Sequence, residues 1–440
     1  MPQERLYAKT LGFFEPALFH IHLAYDVKLD DWKNWPDQAI FTFFHEYIHF
    51  LQDITTTSGL YNIYVLDEFI KYDVNYIYSL PKGPFKVPLP VINSSDNVFN
   101  NILVRRKTRD GNNKLTASEK STFAVTGRAI SKEQIVKLNG QQVNLAKVTV
   151  PTNLGRPFIL SGREIRESMA DLGQKIAYRR ELAQGIVNLR HPHYPYHVVE
   201  QLAGYYNSPL IQSEEFLFAL CDFSLMYQHP AKVLVQFLEI TEQNRQLTDY
   251  KTAIAFFRNY GQNVDGHGNP VAFEDIVKQM FKMALNGLQS KFKGIEHSSL
   301  RNWFTQIMAK AFAMRIKTPF FISDLVAKGN AKDNPDFNFM MSFLGSPLLT
   351  DDNNRYYFYN TTKEVLNARR LSRLKAAGNI LYMLNGRDFE CKLYDYCKAT
   401  RGCVNEDCKK QPWTKAKRFC ACPYGFLWMG WKLKDYYPVL

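Results

Sequence analysis

With 440 residues, of which 46% are apolar, 14% aromatic and 22% charged, the chain has too much to bury to be largely disordered and is long enough for two or three domains. Its formal net charge of +13 favours anionic partners such as nucleic acid, phospholipid or acidic protein. The first residues lack a basic stretch followed by an apolar run. No window supplies the roughly 18 apolar residues of a membrane span, so a cytoplasmic protein with no membrane span is expected.

Taken in chain order, Ala17 to Tyr25 reads as a strand, with His20 and His22 on one side of it as structural residues. Pro36-Asp37 opens a helix that runs to about Thr57, with Ser58-Gly59 as its stop. A second helix, from Leu60 to about Leu80, ends at Pro81, Pro84, Pro88 and Pro90. Residues 81–160 are rich in Pro, Asn, Gly, Thr and Val and read as a β-rich insertion. Asn139-Gly140, between Ile135–Leu138 and Val143–Val148, is a two-residue hairpin signal. From Ser161 a helical pattern returns and persists to about Leu384. Helices are predicted near 161–185, 196–206, 213–228, 231–244, 248–260, 272–292, 298–315 and 361–377. Cys221 falls in the apolar pattern of one of them and reads as core. A cysteine-rich tail begins near residue 385.

The chemistry concentrates in His45-Glu46-Tyr47-Ile48-His49. Residues four apart share a helix face, so both imidazoles can reach one ion. Zinc suits two neutral imidazoles and a carboxylate, with one position left for water. Glu46, one step round the helix, is placed to take a proton from that water. The surrounding residues, Ile40, Phe41, Phe43, Phe44, Ile48, Phe50 and Leu51, are apolar, and burying three ionisable groups among them is costly without a purpose. A third ligand must come from elsewhere. Gln52 and Thr55 stand where one class of site has a glycine and a third histidine. Asp53, one turn past His49, is one alternative. Another is the acidic face of Gly162–Leu172, where Glu164, Glu167 and Asp171 lie beside an apolar stripe and Arg163 and Arg166 flank them.

At these residues the chain resembles the gluzincin metallopeptidases, whose signature is His-Glu-x-x-His followed by Glu-x-x-x-Asp on a second helix. Glu167-Ser168-Met169-Ala170-Asp171 also looks like the Glu-x-x-Ala-Asp form of the CAAX-prenyl-endopeptidase-like branch. The resemblance implies a zincin-like catalytic core, with zinc on His45, His49 and Glu167 and with Glu46 as general base. It also implies that Asp171 accepts the remaining ring N–H of a ligand histidine. It covers two short helices, and it departs from the family in two ways. The gap from His49 to Glu167 is 118 residues (167 − 49), and the membrane spans of the prenyl-endopeptidase branch are missing. Such enzymes add a group that stabilises the oxyanion; His191, His193, Tyr194, Tyr196 and His197 supply candidates.

Cys391, Cys397, Cys403, Cys408, Cys420 and Cys422 crowd the tail with no histidine among them. In a chain without an export signal this suggests an all-thiolate metal site, a second zinc or an iron–sulfur cluster. Basic and aromatic residues interleave with them, among them Lys409, Lys410, Trp413 and Arg418. The expected fold is α+β and mainly α-helical. It has a zincin-like core in 1–80, the insertion at 81–160, a helical region at 161–384 that carries the third ligand, and the small metal-binding tail at 385–440. The expected activity is zinc-dependent hydrolysis of peptide bonds in a protein substrate, regulated or narrow in specificity. The competing reading is a nucleic-acid-binding protein that uses its basic tail, with the core acting on bound proteins or inactive.

Overall fold

The computed structural model describes residues 11–90, 113–138, 141–189, 191–244, 246–260, 263–264, 270–271, 273–292, 297–363, 366–386, 389–401, 404–417 and 422–439. The strand expected over residues 17–25 is instead a hairpin of β1 (Gly12–Glu15) and β2 (His20–Leu23), paired antiparallel. The chain reverses because Ala17 and Phe19 take left-handed backbone angles, φ 60° and 50°. Such angles cost roughly 1 kcal/mol or more per residue. The buried carboxylate of Asp53 offsets that cost by accepting the Ala17 N–H at 2.6 Å.

This hairpin is half of a four-stranded sheet, ordered β1-β2-β9-β10, in which β9 (Leu348–Asp351) runs parallel to β2 and β10 (Tyr356–Tyr357) returns antiparallel. On the sheet lies α1 (Asp37–Thr55), apolar almost all round its circumference and buried along nearly its whole length. Phe43, Phe44 and Tyr47 of α1 pack their rings against Phe337, and Phe50 packs against Phe14 and Phe19.

The expected stop at Ser58-Gly59 falls slightly earlier. Thr56 leaves helical geometry at φ −110°, ψ 151°, and its hydroxyl caps the next helix, α2 (Thr57–Ser79), by accepting the Gly59 N–H at 3.0 Å. Ser58 and Gly59 therefore begin α2 rather than end α1. Gly59 is required there, because a Cβ would strike the Gln52 carbonyl oxygen and the Asp53 Cα.

Within 81–160, β3 (Gly83–Lys86) does not join the others; it pairs in parallel with β11 (Tyr436–Val439). A short helix, α3 (Ala117–Thr122), precedes the hairpin of β4 (Ile130–Leu138) and β5 (Gln141–Val150). Their register pairs Leu138 with Gln141, and β6 (Phe158–Leu160) adds a third strand. Asn139-Gly140 themselves lie outside the described residues. The next helix, α4 (Gly162–Ala177), opens on a capping box in which Ser161 and Glu164 satisfy each other's end of the turn.

The described structure is mainly helical with small sheets. Helices follow near the expected places, at Val198–Ala203, Glu214–Ser224, Pro230–Gln243, Tyr250–Tyr260, Phe273–Lys291 and Ser298–Lys317, and between the fourth and fifth of them β7 (Asn263–Val264) pairs antiparallel with β8 (Pro270–Val271). Beyond Lys317 the uniform helical expectation fails. Helices Phe321–Ala327 and Pro335–Phe343 lead into β9 and β10, and the helix expected over 361–377 is Ala368–Leu384. All four residues of β9 are buried, so its sequence shows no strand alternation. Among the described residues no helix is long and apolar enough to cross a membrane. Asp222, in the apolar helix Glu214–Ser224, makes a buried ion pair with Arg315 at 2.7 Å. Arg315 also donates to Thr55 at 2.9 Å, locking three helices together.

Candidate metal centre

Helices α1 and α4 pack face to face, which brings residues far apart in sequence together. The Nε2 atoms of His45 and His49 lie 3.2 Å apart. A Glu167 carboxylate oxygen lies 3.3 Å from His49 Nε2 and 3.8 Å from His45 Nε2. Among the described residues, this is the group of three metal-ligating side chains whose donor atoms all lie within 4.8 Å of one another.

The hydrogen bonds behind the rings give that convergence its meaning. Gln174 donates its Nε2 to the Phe41 carbonyl at 2.8 Å, so its Oε1 is the atom that faces His45 Nδ1 at 2.9 Å. Gln52 likewise donates Nε2 to the Arg166 carbonyl at 3.1 Å and presents Oε1 to His49 Nδ1 at 2.8 Å. Each histidine thus has an amide oxygen as acceptor at Nδ1, the arrangement that keeps a proton there and turns Nε2 toward the other ring and the carboxylate. A proton on one ring satisfies one edge of that triangle. A divalent cation satisfies all three, and a tetrahedral zinc with bonds of about 2.0–2.2 Å needs ligands about 3.3–3.5 Å apart. The donor set fits zinc. Burial pushes the Glu167 pKa upward, but His49 and His45 outweigh it and hold the carboxyl well below its usual range.

Glu46 is buried beside the cluster. Desolvation, reinforced by Glu167 and opposed by His45 and the Phe14 N–H, pushes its carboxyl up to about 7.

The expectation for Asp171 needs correction. It contacts neither His45 nor His49; it accepts from His191 Nδ1 at 2.7 Å and pairs with Lys175 at 2.9 Å. The glutamines take the role assigned to it. His191 stacks on Tyr196 with centroids 4.1 Å apart, and the two rings lie 5.3 Å and 5.8 Å from that of His45. Burial, then the nearby Glu167 and Glu46, raise the Tyr196 hydroxyl well above its ordinary pKa, so it remains a proton donor. Burial lowers His191, with His45 adding to it against Asp171, so its ring is neutral with Nε2 as an acceptor.

The other candidates are turned elsewhere. Tyr194 donates to Glu164 at 2.8 Å, and His193 Nδ1 lies 3.1 Å from the Phe123 carbonyl. His197 stands 3.8 Å from Asp171. Glu164 is engaged in its capping box and Asp53 in holding Ala17, so neither serves as the third ligand. His20 bridges Glu15 and Thr350, both at 2.7 Å, within the sheet, and His22 bonds Thr350 and Asp352.

In the tail, Cys403 and Cys420 lie outside the described residues. Cys397 and Cys422 are near enough to Cys391 to influence its charge. Burial first, then those two thiols, push Cys391 up to about 12. Cys408 stands apart, 3.1 Å from Asn405 Oδ1. Cys221 is buried core, as expected.

Compared with protein-family models, curated proteins and solved structures, the chain matches none.

Proposed function

We propose that this protein is a zinc-dependent metallopeptidase of gluzincin type, with His45, His49 and Glu167 as ligands in a zincin-like core. The observation that carries the reading is the meeting of two Nε2 atoms and one carboxylate at 3.2–3.8 Å. When bound, zinc supplies Lewis acidity that acidifies water and polarises a peptide carbonyl. Glu46, adjacent to a ligand and poised near neutrality, takes the proton from water and passes it to the leaving amine. Tyr196 donates its O–H to the developing oxyanion. His191, fixed by Asp171, holds the Tyr196 ring by stacking.

Two measurements test the proposal. Purified protein should contain one zinc per chain, lost in His45→Ala and kept in Glu46→Gln. A second ion per chain that survives His45→Ala would place a further metal on the tail cysteines. New protein N-termini in cells expressing the wild type should disappear with Glu46→Gln, since a general base contributes roughly 10²–10⁴-fold. Termini that persist unchanged in Glu46→Gln, or a wild type without metal, sink the reading.

A further inference from the structure

Arg163 lies one helical turn before Glu167, so the two share a face of α4 beside the metal cluster. Its side chain is exposed, and its guanidinium sits over the ring of Tyr194, 6.0 Å from the centroid. That ring is a fixed platform. Tyr194 is 1% exposed, packs against Phe123 and Phe158, and has its hydroxyl tied to Glu164 at 2.8 Å. Among the described residues no carboxylate lies within ion-pair distance of Arg163. Lys175, about three turns past Arg163 on the same helix, is saturated by Asp171 and Glu200 at 2.9 and 2.7 Å. Tyr196 and Glu167 lie within electrostatic reach of the guanidinium, which places it at the reacting end of the site rather than on a remote surface.

An arginine held over an aromatic ring, with its donors unused, binds a carboxylate in bidentate fashion and loses little side-chain freedom in doing so. The net charge of +13 draws acidic partners toward the whole molecule.

We propose that Arg163 determines specificity by pairing with a substrate carboxylate near the scissile bond, so that the site selects acidic peptide segments. This rests on the metallopeptidase reading. The test uses the zinc-loaded full chain and a set of tripeptide hydroxamates in which each position in turn carries Asp or Asn, with binding measured calorimetrically. At one position the wild type should bind the Asp member about tenfold more tightly than its Asn isostere, a preference that weakens as salt rises. Arg163→Ala and Arg163→Gln should both reduce that ratio to about one while leaving the affinity for the Asn member unchanged. A wild type without Asp preference at any position, or an Arg163→Ala protein that keeps it, overturns the proposal. Failure of every hydroxamate to bind the zinc-loaded protein overturns the metallopeptidase reading itself, and the proposal with it.

Discussion

Gln52 and Gln174 use both halves of their amides for one result, a histidine with its proton on Nδ1 and its Nε2 free for a metal. Gln174→Ala removes the partner of His45 Nδ1 and frees the ring to rotate, so zinc affinity should fall roughly 10–100-fold. Asp171→Ala, by contrast, should leave zinc affinity within about threefold, because Asp171 holds His191 rather than a ligand. Competition with a chromogenic chelator separates the two, and equal losses in both variants would restore Asp171 to the place the motif suggested. The convergence of His45 and His49 was legible in the sequence because four-residue spacing on a helix fixes a face, whereas Glu167 was singled out from Asp53 and Glu164 by the resemblance of Glu167–Asp171 to a second-helix motif. The partner of His45 was not legible. Asp171 and Gln174 are one and two turns past Glu167, both on the side of α4 that faces inward, and both are buried. Which of them reaches His45 depends on the angle at which α4 crosses α1, and nothing local encodes that. Gln52, three residues after His49, was within reach of the same spacing argument, had a neutral acceptor been considered alongside carboxylates.

The junction between α1 and α2 shows what a single element boundary must achieve. Gln52 has to reach back to His49, and Asp53 has to reach the β1–β2 turn, while α2 departs directly past both. Only glycine at position 59 lets α2 pass so close to the Gln52 carbonyl. Gly59→Ala pushes a methyl into backbone that cannot yield, and should cost about 2–4 kcal/mol in stability. Gly204→Ala is the control. Its nearest heavy atom would be 3.4 Å away, an ordinary contact, and it should change stability by less than about 1 kcal/mol. Urea unfolding of the two variants decides; equal midpoints would mean the junction relaxes freely. The sequence announced this boundary through Thr, Ser and Gly yet misplaced it by a few residues, since a stop signal and a start signal read alike. It missed β9 altogether. A strand with both faces buried, and paired on one side with a partner more than 300 residues away, offers no alternation to mark it.

At the scale of the whole molecule, the interior holds carboxyls that make no ion pair among the described residues, and these set how stability responds to pH. Desolvation alone pushes Asp73, on α2, up to about 7, and its Oδ2 has no hydrogen-bond partner among the described residues. Desolvation also pushes Asp53 up to about 7, against the opposing pull of the Ala17 N–H and, beyond it, of Arg166 and His49. In the unfolded chain both titrate near 4. A carboxyl whose pKa is higher in the folded state holds its proton there after the unfolded chain has released it. Each such group therefore lowers stability as pH rises from about 4 to about 7, with no further loss above that window. The usual stabilising carboxylate, with a depressed folded pKa, has the opposite slope. Asp73→Asn keeps the shape of the side chain and removes the proton equilibrium. It should be near neutral at pH 4–5 and stabilising at pH 8 by on the order of 2 kcal/mol. Urea unfolding of zinc-loaded wild type and Asp73→Asn at both pH values measures the difference. Zinc occupancy must be matched in the two proteins, because ligand binding adds its own stability. If the variant shows no gain on passing from pH 5 to pH 8, Asp73 is ionised in the fold through a partner not seen here, and the burial argument fails for it.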